Sequence, residues 1–419
     1  MHILVLGAGV VGTAAAWFLR ADGHEVTVVD RQPVPGNETS FANGGQISVS
    51  HAEPWAHPSA PLKVLSWLGR EEAPLLLRVR RDPALWRWCA GFLRECLPSR
   101  TRRNIGQLVR LGLYSRQTLQ SLRAQTGLAY DHLQKGILHV YTDAREFAAA
   151  EGPACVMREH GCDLELIDAD ACVRVEPALA EARSRIVGGS YTSSDESGDA
   201  HRFTRELAAL AEARGVRFLL GHRIHALLRE GDRLAGVELV DPDQRPRPLR
   251  ADAYVIALGS YSAPVLDRIG LRIPVYPAKG YSVTLPVREG DVAPTVSLTD
   301  DEYKIVISRL GHRLRCAGTA ELAGYDTGLN ERRCRMILER LFELFPRAGD
   351  REAARFWAGL RPATPSNVPL IGRSALRNLY LNTGHGTLGW THACGSGRAL
   401  ADLVAGRRPE VDFAFLGLN

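Results

Sequence analysis

The first thirty residues constrain this chain more than any other stretch. Residues 3–6 (ILVL) are an apolar run that breaks into Gly7-Ala8-Gly9-Val10-Val11-Gly12, and Ala14, Ala15, Phe18 and Leu19 then recur at helical spacing as far as Asp22-Gly23. Residues 24–30 (HEVTVVD) read as a second strand that ends in a carboxylate. A lone GxGxxG arises by chance in a chain with 40 glycines; one set between a strand and a helix, with an acid closing the next strand, is a dinucleotide fingerprint. Gly7, Gly9 and Gly12 allow the tight turn and let backbone N–H groups approach a pyrophosphate at the positive end of the helix. Asp30 would accept hydrogen bonds from ribose hydroxyls, with Arg31 a weaker neighbour. The alternative is a structural glycine turn in a nucleotide-free α/β fold.

At 419 residues and 45% apolar content, the chain is too long for one simple layer and too apolar to be disordered, which predicts two packed domains. Residues 39–50 (TSFANGGQISVS) make a poor strand or helix and a good close-approach loop. Residues 203–214 predict an amphipathic helix, 216–239 a small antiparallel meander, and 251–260 (ADAYVIALGS) a buried strand that returns to the nucleotide domain. Residues 273–320 alternate as antiparallel strands, 330–345 are helical, 356–372 are extended and proline-punctuated, and 379–389 (LYLNTGHGTLG) run from a strand into a glycine-rich turn before a last helix. The predicted fold is mixed α/β, a Rossmann-like dinucleotide domain (1–50, 186–265 and 357–419) interleaved with an antiparallel-sheet substrate domain (51–185 and 266–356).

Charge is uneven. Residues 61–110 hold eleven Lys or Arg against four Asp or Glu, whereas the whole chain is only +5. Trp55, Trp67, Trp86 and Trp88 lie in or beside this stretch. Arginines interleaved with tryptophans suit an anionic membrane surface better than nucleic acid, which draws a broader basic footprint; an ordinary solvated face with core tryptophans is the alternative. The eight cysteines form no CxxC pair and no zinc spacing, so a reduced, cytosolic chain without metal is expected. The chain enters a strand directly after Met1-His2, without a leader, and has no run of about 18 apolar residues.

The ILVLGAGVVG start, the TSFANGGQIS loop, IPVYPAKGYS, FWAGLRPATP and NTGHGTLGWTHACGSG together resemble the glycine oxidase and D-amino acid oxidase superfamily, and within it the D-amino acid dehydrogenase small subunits. The likeness runs over essentially the whole chain. It implies non-covalent FAD in extended form, with the pyrophosphate loop at Gly7, Gly9, Val10, Val11 and Gly12, and the ribose acid at Asp30. The flavin-adjacent loop falls on Ser40, Asn43, Gly44, Gly45, Gln46 and Ile47, the adenine contact on Ile224, and the returning strand on Ala257 and Gly259. Gly384, Gly386, Thr387, Leu388 and Gly389 would bring backbone N–H groups and the next helix to the flavin. Cys394 is read as a packed helix thiol rather than a flavin attachment.

The resemblance further implies oxidation of a D-amino acid to a 2-oxo acid and ammonia, with electrons passed to a membrane quinone and the chain lying on the inner face of the bacterial inner membrane. An amino acid needs its carboxylate anchored, and Arg361 falls where the superfamily keeps an arginine; a structural ion pair is the alternative. Tyr303 corresponds to a substrate-binding tyrosine, or is an ordinary strand tyrosine, with Tyr276 and Lys304 as weaker neighbours. Gly384 and His385 complete the expected site. Many dehydrogenases of this type carry Gly-Tyr where this chain has Ser50-His51, so His51 is either a pocket residue or a loop histidine. A secondary-amine oxidase and a non-catalytic flavin-binding subunit are the competing readings.

Overall fold

The computed structural model describes residues 1–418 and is built on two large sheets that share one cavity, with a three-stranded meander and a two-stranded pair beside them. The first sheet has six strands, in the order Leu370–Arg373, Leu379–Thr383, Ala253–Ile256, His2–Leu6, Glu25–Val29 and Arg217–Leu219, all parallel except the first. Strand alternation sorts its side chains. Ile3, Val5, Val26, Val28 and Val255 pack under the helices Val10–Ala21, Ala200–Ala213 and Gly389–Val404, while Leu4, Leu6, Val29, Tyr254 and Ile256 pack under the meander of Arg223–Glu230, Arg233–Val240 and Pro246–Leu249. Both faces of this parallel sheet are covered, so its strands read as continuous apolar runs.

The second sheet is chiefly antiparallel, with strands Arg355–Ala363, Tyr276–Pro286, Arg313–Leu322, Ile305–Leu310, Ser297–Asp300, Ile137–Tyr141, Gly188–Thr192 and Leu164–Asp168, and the short Leu75–Leu77 beside Arg313–Leu322. Its back buries Tyr281, Val283, Leu298, Ile305, Ile307 and Cys316 against the helices Ala169–Val175 and Glu331–Leu344. Its front faces the cavity. Register places one residue from each of eight strands in a single row across that face: Leu166, Ser190, His139, Thr299, Val306, Ala317, Ser282 and Trp357.

Two boundaries differ from the sequence reading. Gly188–Thr192 and Arg355–Ala363 belong to the second sheet, and Arg217–Leu219, expected in the meander, extends the first. Short strands carry no mark of which sheet recruits them, because register with a distant partner decides it.

Candidate active site

The cavity encloses about 580 Å³ and runs from the glycine turn at the edge of the first sheet to the front of the second. At the nucleotide end the backbone is packed too closely for side chains. Gly7 has φ +112°, a Cβ on it would meet the Ala257 carbonyl oxygen at 2.4 Å, and one on Gly12 would meet the Gly7 oxygen at 1.9 Å. The N-cap residue of the helix Val10–Ala21, Gly9, offers no side-chain bond; the first N–H is given instead to Ser40 Oγ of the neighbouring loop at 3.0 Å, and Val10 and Val11 line the cavity. Asp30 accepts N–H bonds from Ala8 (2.6 Å) and Gln32 (2.8 Å). Burial pushes its carboxyl up and these donors work the other way. Arg31 stacks over Tyr261 at 4.0 Å and pairs with Glu38, and Ile224, Ala257 and Gly259 complete this wall.

In the middle, Ser40 and residues 43–46 meet the turn Gly386–Leu388 and the N-terminus of the helix Gly389–Val404, which is again uncapped by any side chain. Asn382 lines the cavity with both polar side-chain atoms buried and unpartnered, and the buried His385 has an unpartnered Nε2. Burial, and then the neighbouring His392, pushes the His385 imidazole down to about 3, so it is neutral. A cradle with no room for a Cβ, an acid at the strand end, two helix N-termini whose own N-cap residues offer no side-chain bond and polar groups awaiting partners fit a bound dinucleotide.

At the far end Arg361 extends over Gly280, where a Cβ would meet its guanidinium at 2.2 Å, and donates to the Thr319 carbonyl at 2.8 Å. No carboxylate pairs with it among the described residues. Burial, helped by Arg333, pulls it down to about 10, which still leaves a full positive charge near neutrality. His51, Glu53, His139, Tyr141, Asp301 and Lys304 line the same cavity. The loop carrying His51 is fixed by the buried Asp195, which accepts from the backbone N–H groups of Val49 (2.9 Å) and Ser50 (3.1 Å) and from Ser50 Oγ (2.7 Å), and pairs with Arg116 at 3.0 Å.

The cavity brings together Gly7, Gly9, Val10, Val11, Asp30, Arg31, Ser40, residues 43–46, His51, Ile224, Ala257, Gly259, Lys304, Arg361, His385 and residues 386–389. Gly12, Ile47 and Gly384 stand behind its wall, Ile47 with its side chain in the core. Two tyrosines are corrected. Tyr303 lies in the turn after Ser297–Asp300 and turns to the back of the sheet, where Arg340 stacks on its ring at 4.2 Å. Tyr276 donates to Asp82 at 2.8 Å beneath the helix Pro83–Glu95, outside the cavity. The tyrosines that line the cavity are Tyr141, Tyr261 and Tyr281.

Sequence reasoning also missed His139, Asp301, Asn382 and Asp195. His139 had a signal, as the polar break in the apolar strand ILHVY, and Asn382 sits within the NTGHG motif; the side-chain partners of Asp195 lie 79 to 147 residues away along the chain. The 61–110 segment, expected as a membrane-facing surface or as a solvated face with core tryptophans, also walls the cavity through Lys63, Val64, Trp67 and Phe92. Cys394 is buried in the core, and all eight cysteines are free.

The chain belongs to the FAD dependent oxidoreductase family, whose pattern matches residues 2–403. Within that class it is 59% identical over 416 residues to a D-amino acid dehydrogenase of Dechloromonas aromatica, covering 99% of this chain and 100% of that one. It is 56% identical to a D-amino acid dehydrogenase of Paramagnetospirillum magneticum, covering 100% and 98%. Among solved structures, L-proline dehydrogenase from P. horikoshii superposes with a TM-score of 0.76 at 18% identity over 98% of this chain and 94% of that one, a likeness of fold.

Proposed function

We propose that the chain is a FAD-dependent D-amino acid dehydrogenase, converting a D-amino acid to the imino acid, which water hydrolyses to a 2-oxo acid and ammonia. The observation that carries this is Arg361, a half-buried cation lining the cavity with no carboxylate partner among the described residues, at the end of a cavity whose other end fits a dinucleotide. A planar guanidinium takes a carboxylate in two parallel hydrogen bonds, and its enclosed position strengthens them. FAD, held by the glycine turn, Asp30, the 40–46 loop and the 386–389 turn, supplies the acceptor for the Cα hydride. The protein's own part is to hold the carboxylate at Arg361, turn Cα toward the middle of the cavity and keep His385 uncharged beside the reaction.

The electron acceptor we propose is a membrane quinone, reached from the inner face of the bacterial inner membrane, with the chain as the small subunit of a larger enzyme. In support, Leu62, Leu65, Val79, Trp86, Leu93 and Leu97 are exposed in one short stretch of chain beside Arg81, Arg87 and Arg94, which make no ion pair among the described residues. Arg78, by contrast, is held by Glu71 and Glu321. No described helix is long and apolar enough to cross a membrane.

The primary test is the visible spectrum of the FAD-loaded protein without oxygen, before and after D-alanine and then L-alanine. Bleaching by the D-enantiomer alone is the expected result. A spectrum unmoved by either, with bleaching by a cyclic or N-methylated amine, overturns the substrate assignment. Reversing the charge of Arg81, Arg87 and Arg94 is expected to abolish binding to anionic liposomes, and unchanged binding removes the membrane reading.

A further inference from the structure

The cavity contains a second built group that anchoring the carboxylate does not use. Asp301 is shared: its Oδ2 lies 2.8 Å from His139 Nδ1 and its Oδ1 accepts from Lys304 Nζ at 2.6 Å. Burial alone would raise the Asp301 carboxyl, but Lys304 and His139 hold it well below its ordinary range, so it is ionised. An ionised carboxylate only accepts, so neutral His139 carries its proton on Nδ1 and leaves Nε2 as a bare lone pair. That Nε2 is buried and meets no donor. The His51 ring stands beside His139, 5.7 Å centre to centre and tilted by 31°. Lys304 owes its reach to a left-handed backbone, φ +53°, that folds the turn back on Asp301. Register places His139 between Ser190 and Thr299, and Thr299 Oγ1 is bonded to Gln46 of the flavin-side loop.

An amino acid enters as an ammonium ion, and Cα cannot release a hydride until nitrogen has a lone pair with which to form the C=N bond. A base must therefore stand in the enclosed cavity. Burial, and next His139, pushes the His51 imidazole down to about 4, so it is neutral and open to the cavity; it cannot hold a proton for long facing Arg361 and Lys304. His139 differs in having the Asp301 carboxylate against its far nitrogen at 2.8 Å. The other titratable groups facing the pair are Glu53 and Tyr141.

Resting on the D-amino acid reading, we infer that Lys304, Asp301 and His139 form the proton sink for the substrate's amine, reached through His51. One ammonium N–H bond breaks with its electron pair left on nitrogen. An N–H bond forms on His51, a proton passes from His51 to His139 Nε2, and the neutral amine then gives its Cα hydride to the oxidised FAD of the family reaction. His139 is a positioning and proton-holding residue, and Lys304 keeps Asp301 ionised in the cavity.

The test uses FAD-loaded His139→Asn, His51→Asn and Asp301→Asn. Anaerobic flavin reduction by D-alanine in His139→Asn should fall about a hundredfold at pH 7 and recover toward pH 10, where the amine arrives neutral. Perturbation of the flavin spectrum by benzoate should be retained, reporting an intact fold and an intact Arg361 site. Independently of turnover, ¹⁵N NMR of the resting protein should show His139 protonated at Nδ1 and bare at Nε2, a tautomer lost in Asp301→Asn. An unshifted pH profile in both histidine variants, or a proton on Nε2 in the resting protein, overturns the relay and leaves the dehydrogenase reading standing. Failure of the unaltered protein to be reduced by any D-amino acid sinks both.

Discussion

Replacing Arg361 with leucine should separate what the guanidinium does to the fold from what it does for the substrate. Its value in the folded protein, about 10, lies below the ordinary 12.5, with burial the main cause. A group whose folded value is depressed in this way, and which is charged below that value, costs folding free energy at every pH under about 10, and the cost disappears only above 12.5. At pH 7 it is present in full, roughly 3 kcal/mol at 1.36 kcal/mol per unit. The hydrogen bond to Thr319 returns about 1 kcal/mol. Arg361→Leu is therefore expected to be more stable than the parent by about 1–2 kcal/mol, a rise of roughly 1–2 °C in Tm for a chain of this length. Carboxylate binding should move the opposite way. Losing a bidentate pair in an enclosed site costs about 2–4 kcal/mol, so the Kd for benzoate and the KM for D-alanine should rise by roughly 30- to 1000-fold. Calorimetry on flavin-loaded and stripped protein gives the first quantity, and spectral titration gives the second. A variant that melts several degrees lower with flavin retained, or binds benzoate like the parent, refutes the argument that this cation is unpaired and waiting for an anion.

Three other outcomes follow from the same geometry. Gly280→Ala should push the guanidinium aside and raise KM about tenfold with flavin content unchanged, since the Cβ would fall 2.2 Å from Arg361 Nη1; an unchanged KM would show that the arginine acts from another position. Asp195→Ala strands Arg116 and frees residues 48–50, and should cost about 3–5 kcal/mol in chemical denaturation, so a loss under 1 kcal/mol would show that the loop holds itself. The Asp301 carboxyl is depressed in the folded chain, so its contribution is full above the unfolded value of about 3.9, declines below it and is lost as pH falls through the lower folded value; Asp301→Asn should flatten the acid limb of the stability profile below about pH 4.

The nucleotide half was legible because its chemistry is local. The turn from Gly7 to Gly12 and Asp30 lie within one βαβ unit, where spacing alone places them. The 386–389 turn was legible for the same reason, as a glycine run between a strand and a helix. Arg361 was reached through a family motif. The substrate side was read less well because its residues meet across strands far apart in the chain. Tyr303 and Lys304 are adjacent in sequence, yet the turn sends Lys304 to the cavity and Tyr303 to Arg340 behind the sheet, a parting no spacing rule reveals. Asp195 and the 48–50 loop are joined only by tertiary contact, so neither sequence marks the other.

The row from Leu166 to Trp357 draws one residue from each of eight strands, with no two neighbours in the row contributed by adjacent residues of the chain. Slipping any strand by one position would send its member of the row to the back of the sheet and bring a back-facing residue forward. The chemical surface therefore has no partly folded version: it comes into being in the same event that closes the sheet, after the slow long-range pairings are made. Return of substrate-responsive flavin colour during refolding should thus trail the recovery of helical signal and coincide with the last strand pairing, making the protein's chemistry a clock for its own folding.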